Sequence, residues 1–202
     1  MISIFLPENY QWIRTSIPLI ITILFSLYGD LLIRLIIGPK LKILFKNKRP
    51  YKKIIRKTER GNRFILLRLN VKNIGKTIAH KLYGRITKIE YVNIDRPIDT
   101  FDPTTLDWVG YPLGEKIDLG PDDSDFLELI IQEERHNYFH INTDPKISKL
   151  SATKFDIKLQ PHYLYISVFS EDAPTVKKKY TLSWDKKDEI DFETINLEEV
   201  PE

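Results

Sequence analysis

His136 and His140 stand four residues apart, with Glu133 and Glu134 just upstream. On a helix that spacing would turn a carboxylate and two imidazoles onto one face, the arrangement metal sites use. The order is not H-E-x-x-H, however, and a solvated, charged connector explains the same residues more simply. A metal-dependent enzyme or metal-binding protein built on Glu133, His136 and His140 is therefore kept as the alternative. Asp118-Leu119-Gly120-Pro121-Asp122-Asp123-Ser124-Asp125 gathers four acids and a glycine. It lacks the D-x-[DN]-x-[DN]-G order and the closing bidentate Glu of a calcium loop, so it reads as a polar connection between strands. His80 and His162 have no carboxylate partner that spacing identifies and read as surface or edge residues. The chain has no cysteine, no G-x-S-x-G, no P-loop and no G-x-G-x-x-G, which removes thiolate chemistry and leaves nucleophilic catalysis without a motif. Carboxylate pairs are assembled by folds and not by spacing, so they stay open. The expectation is a protein without catalytic activity and without a cofactor.

The other chemistry-bearing run is cationic. Between Gly38 and Arg68 there are twelve basic residues and one acid, Glu59, a local charge of +11. Lys40, Lys42, Lys46, Lys48, Arg49, Lys52 and Lys53 lead it and are the expected contacts for anionic lipid headgroups, at roughly 1 kcal/mol per cation near the surface. Leu41–Lys46 reads as a short amphipathic turn along the interface. Basic residues mixed with Tyr51 and Phe45 are also a nucleic-acid footprint. That reading is placed second, because the run follows directly on an apolar segment and topology alone calls for many of these charges.

The apolar segment runs from Thr15 to Ile37, 23 residues, or about 34 Å as a helix. It exceeds the roughly 30 Å hydrocarbon layer and can span it with some tilt. Tyr10 and Trp12 precede it as interfacial aromatics do, and Pro18 is expected near the helix start, where a missing N–H costs little. Asp30 and Arg34, four apart on one face, are expected to form a local charge pair or to snorkel toward headgroups. A cleaved signal peptide fits worse, for want of a positive leader and a cleavage site; a buried core helix is a further alternative. Nine basic residues and no acid between Lys40 and Lys57 put the carboxyl side in the cytoplasm by the positive-inside rule. The expectation is a signal anchor with its amino end outside.

Stepping from charge to elements, the period changes to two after Asn62. Ile65, Leu67, Leu69 and Val71 alternate with polar positions, and extended segments are predicted at 78–92, 106–109, 125–132, 154–159, 163–170 and 178–184. Gly84 interrupts the second of these and predicts a bulge or a close backbone approach. Proline, glycine and aspartate clusters separate the segments, so about seven short strands argue for an antiparallel sandwich. The 133–140 region is the one part beyond the apolar segment expected to be helical. Val71-Lys72-Asn73-Ile74-Gly75-Lys76-Thr77-Ile78-Ala79 resembles the V-x-N-x-G-x-x-x-A opening of immunoglobulin-like β-sandwich modules of the CARDB kind, and the single domain of some membrane-anchored archaeal and bacterial proteins. The resemblance implies that Asn-x-Gly forms the first hairpin and that the small Ala79 starts the next strand against the opposing sheet. It implies a fold and no activity.

The chain therefore reads as mainly β: an N-terminal segment (1–14), a single transmembrane helix (15–37), a basic juxtamembrane connector (38–61), an immunoglobulin-like antiparallel β-sandwich of about seven strands (62–185) and an acidic C-terminal tail (186–202). The tail carries seven acids against two lysines and is expected to be solvated, to fold onto a partner, or to fold back on the basic connector. The expected role is a membrane-bound binding or scaffold module with a protein partner, its domain in the cytoplasm; an outward-facing cell-envelope module is the other topology. The total charge of +3 conceals a split of 0 for 1–37, +11 for 38–68 and −8 for 69–202.

Overall fold

In the computed structural model the described residues are 11–56, 63–92, 101–112, 114–133, 138–141, 154–156, 161–184 and 195–201. They fall into two units, Met1–Gly38 and Pro39–Glu202. The first is one helix, α1 (Gln11–Ile37, 27 residues), ended by Gly38-Pro39, which cannot continue it. It begins before the expected Thr15, so Pro18 lies inside it and deprives the carbonyl four residues upstream of its partner; Thr22 Oγ1 bonds the Pro18 carbonyl at 2.8 Å. The side chains described along α1 are those of 16–26, 28–29 and 36–37, and among the described residues no helix is long and apolar enough to cross a membrane. The side chains of Asp30 and Arg34 lie outside the described residues.

The second unit is all antiparallel strand: β1 (Leu41–Leu44), β2 (Lys52–Arg56), β3 (Arg63–Asn73), β4 (Ala79–Tyr91), β5 (Thr104–Trp108), β6 (Ile117–Leu119), β7 (Ser124–Glu133), β8 (Tyr138–Ile141), β9 (Lys154–Asp156), β10 (His162–Phe169), β11 (Val176–Trp184) and β12 (Ile195–Glu199). The seven predicted strands are all present. They form one curled sheet, in the order β1-β3-β7-β5-β4-β10-β11-β12, with β2 on β3, β6 on β4, and β8 and β9 extending from β7. The turn of the sheet is made at β5, whose first half pairs β4 (Gly84↔Leu106) and whose second half pairs β7 (Trp108↔Leu127). Alternating residues from both halves meet in one core that includes Leu69, Leu82, Ile86, Trp108, Leu127, Leu164 and Tyr180. Trp108 buries its indole there and donates Nε1–H to the Leu82 carbonyl at 3.2 Å, as a buried tryptophan must.

Five strands were not anticipated, and they revise the expected boundaries of the β region. β1 and β2 come from the basic connector and pair with β3 (Ile43↔Val71, Ile54↔Ile65). Leu41 and Ile43 are buried in the core, so Leu41–Lys46 is no interfacial turn. β12 comes from the acidic tail, pairing β11 through Leu182↔Leu197 and burying Ile195 and Leu197. The described parts of the 133–140 region are strand and not helix, and 134–137 lie outside the described residues. β7 ends at Glu133 and β8 starts at Tyr138, paired through Ile130↔Ile141 and Ile131↔His140. β-branched and aromatic residues on both sides favour strand over helix there.

The Asn-Ile-Gly turn does not close a hairpin, since β3 and β4 share no ladder. It carries the chain from one half of the sheet to the other. Asn73 is fully buried and spends all its capacity. Its Oδ1 accepts from Lys40 N (3.2 Å) and Gly75 N (2.9 Å), and its Nδ2 donates to the carbonyls of Thr77 (2.8 Å) and Leu119 (3.0 Å). Ile74 N also donates to the Lys40 carbonyl at 2.7 Å. One asparagine therefore pins the residue three places after α1, the turn, and β6.

Gly84 marks the close approach that its sequence position predicts. A Cβ there would overlap Leu127 Cδ1 on β7. The bulge lies nearby at Thr87, where Tyr165↔Lys88 is followed by Ile166↔Ile86. The extra residue lets both Ile86 and Ile89 point inward, and Thr87 Oγ1 bonds the Tyr165 carbonyl at 3.1 Å.

Candidate functional site

The described part of the basic connector is held in the fold by β1 and β2. Lys40, Lys42, Lys46, Lys48, Arg49 and Lys53 are exposed and Lys52 is half-buried. Alternation on β1 sends Leu41 and Ile43 inward and leaves Lys42 outside. Between β1 and β2 the chain turns tightly, with Lys48 N on the Lys46 carbonyl (2.7 Å) and Lys52 N on the Lys48 carbonyl (3.1 Å). Tyr51 fastens this loop. Its ring packs edge-on against Phe45 (6.0 Å) and Phe126 (5.5 Å), and its carbonyl accepts from Arg68 N at 2.7 Å.

The loop also meets the C-terminal strand. Asn47 Nδ2 donates to Asn196 Oδ1 (2.7 Å), and Lys52 Nζ to the Ile195 carbonyl (3.1 Å). The described part of the acidic tail, 195–201, thus folds back on the basic connector, and the two ends of the curled sheet are joined there by side chains. Beside this seam opens a recess of about 330 Å³ lined by Asn47, Lys48, Arg49, Lys52 and Ile54. Among the described residues that line it, three are cations and none is an acid. Such a site can hold an anion, with the guanidinium fork and ammonium groups matching phosphate oxygens. The basic run pointed to these cations; Asn47 and Ile54 carried no signal of their own, because the partner on β12 lies 149 positions away from Asn47.

The expected metal ligands are not assembled on a helical face. Glu133 ends β7, His140 is on β8, and His136 lies outside the described residues. Among the described residues no group of three or more His, Cys, Asp or Glu could hold a metal ion. The acids of 118–125 diverge: Asp118 faces His80 and Lys81, Asp122 pairs Lys72 at 3.1 Å, and Asp125 Oδ1 accepts from Phe126 N at 2.7 Å.

His80 is exposed, as expected, but it has a carboxylate partner after all. Its Nδ1 lies 2.9 Å from Asp118 Oδ2, while Lys81 N donates to the other oxygen at 2.8 Å. The hydrogen bond to Asp118 raises the His80 pKa above its ordinary value, and the Lys81 and His80 bonds hold Asp118 below its own. A raised histidine pKa contributes stability that is complete below the unfolded value near 6.5 and lost as pH rises through the folded value. In an NMR titration His80 should therefore titrate above 6.5, and Asp118→Asn should bring its midpoint down toward that value.

His162 corrects the surface expectation. It is 2% exposed, its ring 5.1 Å from Tyr91, and burial lowers its pKa. It behaves oppositely: its contribution is complete above 6.5 and lost as pH falls.

A second surface is laid out on the outer face of β4, β10 and β11. Lys179 Nζ lies 3.6 Å above the Tyr163 ring and 5.2 Å from that of Tyr165, and Lys88 Nζ 5.4 Å from Tyr165. Glu90 takes an ion pair from Lys88 and the Tyr165 hydroxyl, and these two bonds, Lys88 first, lower its pKa. These cations are already engaged with rings and with Glu90, so the face is internally satisfied.

No family model matches the chain, and no curated protein matches it. A similarity to a solved structure is found with Northeast Structural Genomics Consortium target SoR45, at 13% identity over 72% of this chain and 85% of that chain, with a TM-score of 0.31. That degree of overlap carries nothing over to this fold or its role. The class the structure defines is a mainly antiparallel β domain preceded by a single helix.

Proposed function

We propose that the chain is a single-pass membrane-anchored protein whose β domain is a non-catalytic binding or scaffold module. The observation that carries the reading is the surface of α1. Ile17, Leu19, Ile20, Ile21, Ile23, Leu24 and Phe25 cover roughly two-thirds of the helix circumference at about 100° per residue, each 48–64% exposed, and the side left over carries the uncharged Pro18, Thr22 and Ser26. A helix with so broad an exposed apolar face and no charge on its remaining side over this stretch belongs in a protein core or in lipid, and the sequence of Thr15–Ile37 continues that character far enough to span. The basic residues that follow favour a cytoplasmic domain with the amino end outside, and anionic headgroups as the partners of Lys40, Lys42, Lys46, Lys48, Arg49, Lys52 and Lys53. Asp30 and Arg34 are read as a charge pair near the cytoplasmic end.

The immunoglobulin-like sandwich is the finer reading of the domain, supported by the two halves of the sheet sharing one core through β5. A protein partner would meet a sheet edge or a loop cluster.

Alkaline carbonate treatment of membranes tests the anchor. The full chain should stay in the pellet. Ile21→Lys costs roughly 2.5–3.5 kcal/mol at a helix centre and should move a large share to the supernatant. Complete release of the unaltered chain overturns the reading. Cleavage of the domain by protease added outside sealed vesicles would place it on the other side, as an envelope module.

A further inference from the structure

We propose that the recess at the β2–β12 seam is a discrete binding site for one phosphate group, held chiefly by Lys48 and Arg49. The source of that phosphate, a lipid headgroup or a soluble ester, rests on the membrane reading above; the site itself does not.

Three observations separate a site from a smear of positive charge. First, the cations converge: Lys48, Arg49 and Lys52 line one open volume of about 330 Å³, with no carboxylate lining it among the described residues. Second, the loop that carries them is held on several sides. Asn47 is bonded to Asn196 and Lys52 to the Ile195 carbonyl, and Tyr51 is packed between Phe45 and Phe126. Groups already ordered before a ligand arrives lose less entropy on binding it. Third, among the described residues neither Lys48 nor Arg49 forms an ion pair. Lys72, Lys81, Lys88 and Lys178, by contrast, are each paired with an acid.

The chemistry selects phosphate over a carboxylate. Two or three cations around one pocket suit a dianion, and the planar guanidinium of Arg49 can bond two oxygens of one tetrahedral group while the Lys48 ammonium takes a third. Ile54, 41% exposed at the recess, offers an apolar shoulder to the group that bears the phosphate.

The test is calorimetric titration of the full chain in neutral detergent micelles with inorganic phosphate and with pyrophosphate. Saturable binding with one ligand per chain is expected. It should weaken tenfold or more in Arg49→Gln and in Lys48→Gln, but less than twofold in Lys76→Gln and Lys177→Gln, which remove exposed cations outside the recess. Circular dichroism of each variant checks that the sheet is intact, and Arg49→Lys should retain part of the affinity. Binding that does not saturate, or that falls equally in all four Gln variants, overturns the site and leaves only diffuse charge. In phosphatidylcholine nanodiscs containing phosphatidate, loss of the inorganic-phosphate signal identifies a headgroup as the ligand. A persisting signal identifies a soluble phosphate ester; either outcome supports the site. Failure of the chain to enter nanodiscs would sink the membrane reading alone, because the micelle titration does not depend on it.

Discussion

Asn73→Ala is expected to cost the β domain about 3–5 kcal/mol. The substitution deletes four hydrogen bonds in a position without solvent access. It strands the Thr77 and Leu119 carbonyls and the Lys40 and Gly75 amides, and each buried polar group left unpaired costs roughly 1–3 kcal/mol, reduced where water can enter the exposed side. Asn73→Asp should be no better. It keeps the acceptor but replaces the Nδ2 donors with a carboxylate oxygen aimed at two carbonyls. Urea unfolding of the full chain in detergent, followed by the circular dichroism of the sheet, measures both. A loss under about 1 kcal/mol for the alanine would mean that the turn does not depend on this side chain. The consequence reaches beyond stability, since the same residue ties Lys40 to β6. Loosening it would free the chain between α1 and β1, and with it the basic strand that the proposed function places at the headgroups.

Gly84→Val is expected to cost about 3 kcal/mol or more, because β4 and β7 approach there without room for a Cβ. The atom in the way is Leu127 Cδ1, and Leu127 is fully buried, so its side chain cannot swing into solvent. Overpacking a filled core costs roughly 1–3 kcal/mol, and more where backbone must move. The restricted unfolded chain of a β-branched residue returns only a fraction of this. The cause can be isolated by a double-mutant cycle. Leu127→Ala alone should destabilise by about 2–5 kcal/mol through the cavity it leaves. Combined with Gly84→Val, the two should cost at least about 1 kcal/mol less than their sum, as the new methyls enter the vacated space. Strict additivity would show that the strain at position 84 lies elsewhere.

Both residues were visible in the sequence as signals without a target. Asn73 stood in a turn motif and Gly84 in an interrupted strand, yet nothing local said that the first would reach β6 or the second would touch β7. Strands such as β4 and β10 were legible because one face is largely buried and the other wetter. β1, β2 and β12 were not. In Leu41-Lys42-Ile43 and Ile195-Asn196-Leu197 only two inward residues alternate, and the surrounding Lys or Glu dominate the composition. The 133–140 region misled for a related reason: a spacing of four between histidines means a helical face only if the segment is helical, and its strand pairing comes from Ile130, Ile131 and Ile141. His162 looked like an edge residue because burial of a histidine depends on what packs over it, here Tyr91.

What the sequence determined by itself is the division of the chain: an apolar segment of 23 residues, a cationic run directly after it, an acidic remainder rich in strand periods, and no cysteine or nucleophile motif. These follow from composition and from periods of a few residues, which act locally. The tertiary structure alone decided that the cationic run and the acidic tail are strands of one sheet, and that Asn47 meets Asn196, Lys52 the Ile195 carbonyl and His80 Asp118. These contacts join residues 38 to 149 positions apart. Curling the sheet brings its two ends together, and that closure is a property of how the whole core packs.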